Sequence, residues 1–365
     1  MVPKSDEVVI QTSMQQEEEE ESFWGAAAFS KALRSRLWSR NMAEGKETLP
    51  KGVDWGQLPS SWNVLVLGPA GAGKSSLLFT WWRALHDSPA VEETHAVLAQ
   101  LNLGWNLSDA KRPVESQGGR GLRSRHGTTG LRILDMFPPR GGGGGAGLCI
   151  HDTKGQQFFD SKERNHTGSL LKGVALEGSN QEKENLRYWF SVGSMGFFEQ
   201  RSLSTSPHAV VLVFNILLRS LQKMVSSADS SKEMSPQLEL YCGVIQQARR
   251  EGLEVFICLT HLDVFEEREA ASAASPQTSE ETRVGEAVQP LLNDLAQKLS
   301  RALSRGGADV PSNRIYVVEN YRATKNDADA RVELAALELL ETLIDSADAH
   351  LVRKCQEKKE GCSVS

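Results

Sequence analysis

The residues Gly68-Pro69-Ala70-Gly71-Ala72-Gly73-Lys74-Ser75 follow the apolar run Asn63-Val64-Leu65-Val66-Leu67 and lead into a second apolar-periodic run at 76–85. This is a complete G-x-x-x-x-G-K-S phosphate loop, set between a strand and a helix. Gly68, Gly71 and Gly73 allow close approaches that a side chain would obstruct, so successive N–H groups can converge on an anion. The start of the following helix adds its own amides, and the cradle is read as Gly68, Gly71, Ala72, Gly73, Lys74, Ser75 and Ser76. Lys74 can bridge the β- and γ-phosphates of a nucleotide, and the Ser75 hydroxyl can ligate magnesium.

A second group of residues complements the first. Leu148-Cys149-Ile150 ends in His151-Asp152-Thr153-Lys154-Gly155-Gln156, a short strand closed by an acid and a glycine turn. Asp152 is the best carboxylate for the magnesium side, facing the same ion as Ser75, and Gly155 can offer its N–H to a γ-phosphate. Asp135, ahead of a Pro-Pro-Arg turn, is the weaker candidate. A third polar loop, Thr260-His261-Leu262-Asp263, follows Val255-Phe256-Ile257-Cys258-Leu259. A carboxylate there can accept hydrogen bonds from guanine N1–H and the exocyclic amine, a donor pair that adenine lacks, so Asp263 favours guanine.

With these three strings in view, the chain resembles the small-GTPase-like branch of phosphate-loop proteins over residues 61–350. Asp152 to Gln156 matches its third motif, which implies that Gln156 orients the attacking water and acts with Lys74 as a catalytic residue. The resemblance also implies that Thr129, in the polar loop before the strand at 131–137, closes over magnesium. The loop at 260–263 matches the fourth motif, with Thr260, His261 and Asp263 on the guanine side. His261 stands where the family has a lysine whose stem packs on the base and whose ammonium steadies the phosphate loop, and histidine is not expected to reach as far. Asn320, after the last strand, sits at the fifth base-side loop, although the usual Ser-Ala-Lys is missing and turn capping is an equal reading. More narrowly, the 260–263 loop and the Asn320-Tyr321 pair look like the interferon-inducible 44 family of GTPase-like proteins. That likeness implies binding of GTP or GDP with Mg2+, feeble hydrolysis and action through protein partners. A nucleotide-bound module that does not hydrolyse is the main alternative, and an ATPase the lesser one.

These residues require an α/β fold, a phosphate-loop NTPase with a mostly parallel Ras-like sheet flanked by helices and interrupted by insertions. Apolar runs at 131–137, 147–151, 209–214, 255–259 and 315–318 have strand length, and the intervals between several of them are helix-sized. Intervals at 87–126, 157–205 and 216–250 exceed what a minimal domain needs and read as insertions or added helices. The glycine run 141–145 reads as a long hairpin connection rather than a second phosphate loop. Residues 327–351 form the clearest long helix.

Around this domain, 61–350, residues 1–50 read as a mobile region. It carries the acidic run 17–21 and, at 22–38, a short amphipathic helix that could meet a partner or membrane surface or pack on the main domain. Residues 352–365 read as a polar tail in which Cys362-Ser363-Val364-Ser365 fits a farnesylation signal, with Arg353, Lys354, Lys358 and Lys359 nearby to favour an anionic surface. The net charge of −6 argues against general nucleic-acid binding. Five unevenly spaced cysteines suggest a reducing, cytoplasmic setting, and no apolar stretch approaches the roughly 20 residues of a membrane span. Attachment to a membrane through the farnesyl group, an unidentified protein partner and a homodimer all stay open.

Overall fold

The computed structural model describes residues 25–40, 58–86, 91–101, 132–137, 146–153, 155–156, 161–172, 203–204, 206–218, 221–222, 224–225, 234–273, 283–321 and 329–362. Among these residues six strands form one sheet: β1 (Ser61–Leu67), β2 (Arg132–Phe137), β3 (Gly147–Asp152), β4 (Ala209–Asn215), β5 (Val255–Thr260) and β6 (Ile315–Val317), in the order β2-β3-β1-β4-β5-β6. Only β2 runs antiparallel to its neighbour β3; the remaining pairs are parallel. The sheet is therefore mixed and mostly parallel. Helices flank it: α1 (25–39), α2 (Lys74–Leu85), α3 (Val91–Gln100), α4 (Ser161–Leu171), α5 (Pro236–Arg250), α6 (Leu262–Ala273), α7 (Arg283–Arg305) and α8 (Ala330–Cys362).

The central strands β1, β4 and β5 are apolar without alternation because both faces are covered. On one face Trp62, Val64, Val66, Val211 and Val213 pack with Leu77 and Trp81 of α2, Leu33 and Leu37 of α1, and Leu340 and Ile344 of α8. On the other, Leu65, Leu67, Val210, Leu212 and Phe214 pack with Leu170 of α4, Tyr241 and Ile245 of α5, and Leu299 and Leu303 of α7. Period-two alternation along each strand sends neighbours to opposite cores.

The amphipathic helix of the first 50 residues lies on the domain. Arg34 donates from Nε to Ala84 O at 2.5 Å, and Trp38 donates from Nε1 to Leu85 O at 2.8 Å. These are carbonyls of the last turn of α2, which has no intrahelical partners for them. Arg34 also pairs with Glu333 of α8 at 2.7 Å, both side chains nearly buried. The exposed Arg36–Glu341 pair adds little by comparison. At the other end, α8 continues through Cys362, so most of the segment read as a polar tail is helical; its Lys, Gln and Glu are good helix formers. Among the described residues no helix is long and apolar enough to cross a membrane.

His208 joins β4 to the loop before it. Its Nδ1 accepts from Asn63 N at 2.9 Å and its Nε2 faces Leu203 O at 2.7 Å, which together require the neutral ring. Burial lowers its pKa to about 3, and burial lowers that of His151 to about 4 against the opposing charge of Asp135. His350 shifts the same way. The unfolded chain binds these protons near pH 6.5 and the native chain does not, so their stabilisation is full above pH 6.5 and is lost as pH falls. Urea unfolding between pH 6.5 and 5, above the range of ordinary carboxylates, should show stability falling with a slope approaching two protons or more, and His208→Gln should remove about one of them.

Candidate functional site

The glycine-rich loop at 68–73, the expected phosphate loop, leaves β1 at the C-terminal edge of the sheet. There β1 lies between β3 and β4, so the chain turns to opposite sides after β1 and after β3. This is the crevice where open parallel sheets bind ligands. Gly68 is needed because a Cβ there would lie 2.2 Å from Val213 O of β4. Gly73, the residue before α2, adopts φ 82° and ψ 18°, a left-handed conformation that suits glycine. It supplies no side-chain cap, and the first turn of α2 carries no acid. The helix thus begins at Lys74, Ser75 and Ser76 with its positive end uncovered by side chains.

The carbonyls of this loop are tied down from several strand ends. Lys74 Nζ donates to Gly68 O at 3.1 Å and Pro69 O at 3.0 Å. Thr260, fully buried at the end of β5, donates to Ala72 O at 2.7 Å. Asn215 at the end of β4 reaches Gly71 O at 3.4 Å, and Asn320 reaches Gly73 O at 3.3 Å. Thr153 fixes the neighbouring strand end by donating to Val66 O at 2.7 Å. Burial pulls the Lys74 ammonium down to about 8 although Asp152 opposes the shift. Keeping it charged at neutral pH costs about 3 kcal/mol, a penalty that an anion in the loop would relieve.

Ser75 donates to Asp152 Oδ2 at 2.9 Å, and Asp152 is fully buried at the end of β3. A hydroxyl and a carboxylate are hard oxygen donors of the kind magnesium takes, usually beside substrate phosphates and water. The pair fits that ion. Among the described residues no group of three His, Cys, Asp or Glu side chains is gathered. Thr129, expected to close over the ion, lies outside the described residues.

The Gly155-Gln156 turn rests on the phosphate loop. Ala70 N donates to Gln156 O at 2.9 Å, and Gln156 N donates to Gly68 O at 3.1 Å. A Cβ on Gly155 would lie 2.5 Å from Ala70 Cα, so only glycine allows this contact. The Gln156 side chain is buried and engaged by α4 and α5: Tyr241 donates to Oε1 at 2.9 Å, and Nε2 faces Thr167 Oγ1 at 3.4 Å.

On the base side, His261 has φ 67° and its Nδ1 lies 3.0 Å from Thr260 Oγ1. Its Cε1 would stand 3.2 Å from a Cβ on Gly73. The expectation of a shorter reach is therefore corrected: the left-handed backbone brings the ring to the phosphate loop. Asp263 is half-buried in the first turn of α6. Asn320 Oδ1 is buried without a hydrogen-bond partner among the described residues. Sequence reasoning missed Asn215, visible as a polar residue closing an apolar strand, and also Tyr241 and Thr167, which carry no local signal. A separate cavity of about 230 Å³ opens at the opposite sheet edge beside Val255. Its Arg249, Arg314 and Arg353 are bonded to Asp309 O, Glu254 and Gly252 O.

No protein-family model and no curated protein matches this chain. Among solved structures, the S. cerevisiae Ski7 GTPase-like domain, bound to GTP, aligns at 15% identity and a TM-score of 0.36 over 72% of this chain and 43% of its own. A bacterial selenocysteine-specific elongation factor, EF-Sec, aligns at 12% and 0.33 over 77% and 29%. The chain spans less than half of either. The resemblance is a distant structural one to GTPase-like folds, and the site is read from its own geometry.

Because the Thr260 hydroxyl serves the loop, Thr260→Val should cost about 1–2 kcal/mol of stability in urea unfolding.

Proposed function

We propose that this chain is a guanine-nucleotide-binding switch or scaffold that takes GTP or GDP with magnesium. One observation carries the reading: a buried lysine and an uncapped helix start meet a Ser75–Asp152 oxygen pair at the switch point of a mostly parallel sheet. The loop at Gly68, Gly71, Ala72, Gly73, Lys74, Ser75 and Ser76 would hold the phosphates, with Gly155 beside it. Ser75 and Asp152 would hold magnesium, which when bound neutralises phosphate charge. Thr129 is expected to join them. Asp263 would read the guanine edge, with His261 and Asn320 alongside, while Thr260, expected on the same side, gives its hydroxyl to Ala72 O. Kinship with the interferon-inducible 44 family rests on the short strings at 260–263 and Asn320-Tyr321.

Slow GTP hydrolysis belongs to this reading, with Gln156 orienting water and Lys74 meeting the γ-phosphate. A second reading, a nucleotide-bound module that does not hydrolyse, is favoured by the burial of Gln156 between Tyr241 and Thr167. An ATPase is the remaining option and turns on Asp263. The nucleotide state would act on partners by ordering or releasing the loops at the γ-phosphate.

Equilibrium binding of GTP, GDP and ATP with magnesium tests the proposal; absence of binding to folded protein rejects it. Lys74→Ala should weaken triphosphate binding at least about tenfold, because a phosphate charge contact is removed while the sheet stays intact. Asp263→Asn should reduce the GTP-to-ATP affinity ratio in competition binding, and an unchanged ratio removes Asp263 from base reading.

A further inference from the structure

The hydrogen bonds around Gln156 have a fixed direction. Thr167 Oγ1 donates to Glu163 O at 2.8 Å, which leaves its lone pairs toward Gln156 Nε2. Tyr241 is fully buried, and its hydroxyl donates to Gln156 Oε1. Burial and the nearby Glu163 charge keep that hydroxyl protonated well beyond the ordinary tyrosine range, so it stays a donor. Both ends of the carboxamide are thereby engaged by α4 and α5. The backbone of the same residue is hydrogen-bonded to Ala70 and Gly68 of the phosphate loop.

A carboxamide that orients water beside a phosphate needs its carbonyl to accept from that water and its N–H to face the phosphate oxygens. Oε1 keeps a second lone pair and Nε2 a second N–H, but the side chain is buried against α4 and α5, so these are not open to water while Tyr241 and Thr167 hold it. We infer that Tyr241 and Thr167 form a latch that withholds Gln156 from the phosphate site, so that the latched chain retains bound triphosphate and release of Gln156 sets the rate of hydrolysis. Tyr241 and Thr167 are then positioning residues acting through Gln156. The inference rests on the nucleotide-binding reading above. It also reconciles a loop having the residues for turnover with a geometry that keeps one of them away.

The test uses the full chain with GTP and magnesium. Tyr241→Phe keeps the ring edge-on to Phe214, at 4.8 Å between centroids, and removes the hydroxyl alone. Buried Gln156 Oε1 is then left without that donor, which favours the released side chain. Single-turnover hydrolysis should rise about tenfold, equivalent to about 1.4 kcal/mol, while the GTP dissociation constant changes less than about twofold. Thr167→Val should act in the same direction and carries the prediction if Tyr241→Phe fails to fold. Gln156→Leu added to either variant should abolish the gain.

Unchanged turnover in folded variants that bind GTP overturns the latch and leaves the nucleotide reading standing. A gain that survives Gln156→Leu also overturns it, since loosening of the core would then be the cause. Failure of the folded wild-type chain to bind GTP overturns the nucleotide reading, and the latch as a control on hydrolysis falls with it.

Discussion

The site depends on how the carbonyls of the phosphate loop are held. In a trans peptide the C=O of one residue and the N–H of the next point in opposite directions. When Thr260 holds Ala72 O, the Gly73 N–H is turned the other way; when Asn320 holds Gly73 O, so is that of Lys74. The proposed anion cradle would therefore work because its acceptors are tied down. Each tether contributes about 1 kcal/mol net, and ordering each loop residue costs about 1–2 kcal/mol, so no single contact would hold a glycine-rich segment in place. Ties from the ends of β4 and β5, from Asn320 after β6 and from Lys74 itself act together. They also couple the loop to both sides of β1, and this makes the sheet order matter to the chemistry.

Electrostatics gives the cradle its direction. A lysine ammonium buried beside one carboxylate, with an uncapped helix start, is a site with surplus positive potential and little water to screen it. The surplus is costly in the empty protein and favours a polyanion in the same place. Asp152 offsets part of it while holding Ser75, so one carboxylate both restrains the lysine shift and presents oxygens suited to magnesium.

Most of the fold was legible because burial on both faces writes strands as apolar runs. All six strands fall on such runs, the edges shifting by one or two residues. The glycine-rich turn between β1 and α2 was legible for a different reason, since its glycines are required locally. Other features depended on distant partners. Leu33 and Leu37 mark an apolar stripe on α1, but only the unpaired carbonyls ending α2 and the acids of α8 decide what it covers. The reach of His261 depends on a left-handed backbone angle that its neighbours do not announce. Gln156 was identified as a residue of the turn, yet its side chain is governed by Tyr241, 85 positions away, and Thr167, 11 positions away, in intervals read as insertions.

Those intervals change what a nucleotide could do here. A switch requires two arrangements of one element separated by a few kcal/mol, so that a ligand's preference for one can move the population. The Gly155-Gln156 turn is held by two backbone bonds and two side-chain bonds, which at about 1 kcal/mol each amount to roughly 4 kcal/mol. Shifting an equilibrium from 1:99 to 99:1 takes about 5.5 kcal/mol of differential binding. A γ-phosphate facing Lys74 and the Gly155 amide can offer interactions on this scale, whereas a diphosphate lacks the group that would offer them. In the proposed switch the docking of the turn would thus be strong enough to define a resting state and weak enough to be contested by one phosphate, with α4 and α5 supplying two of its four bonds.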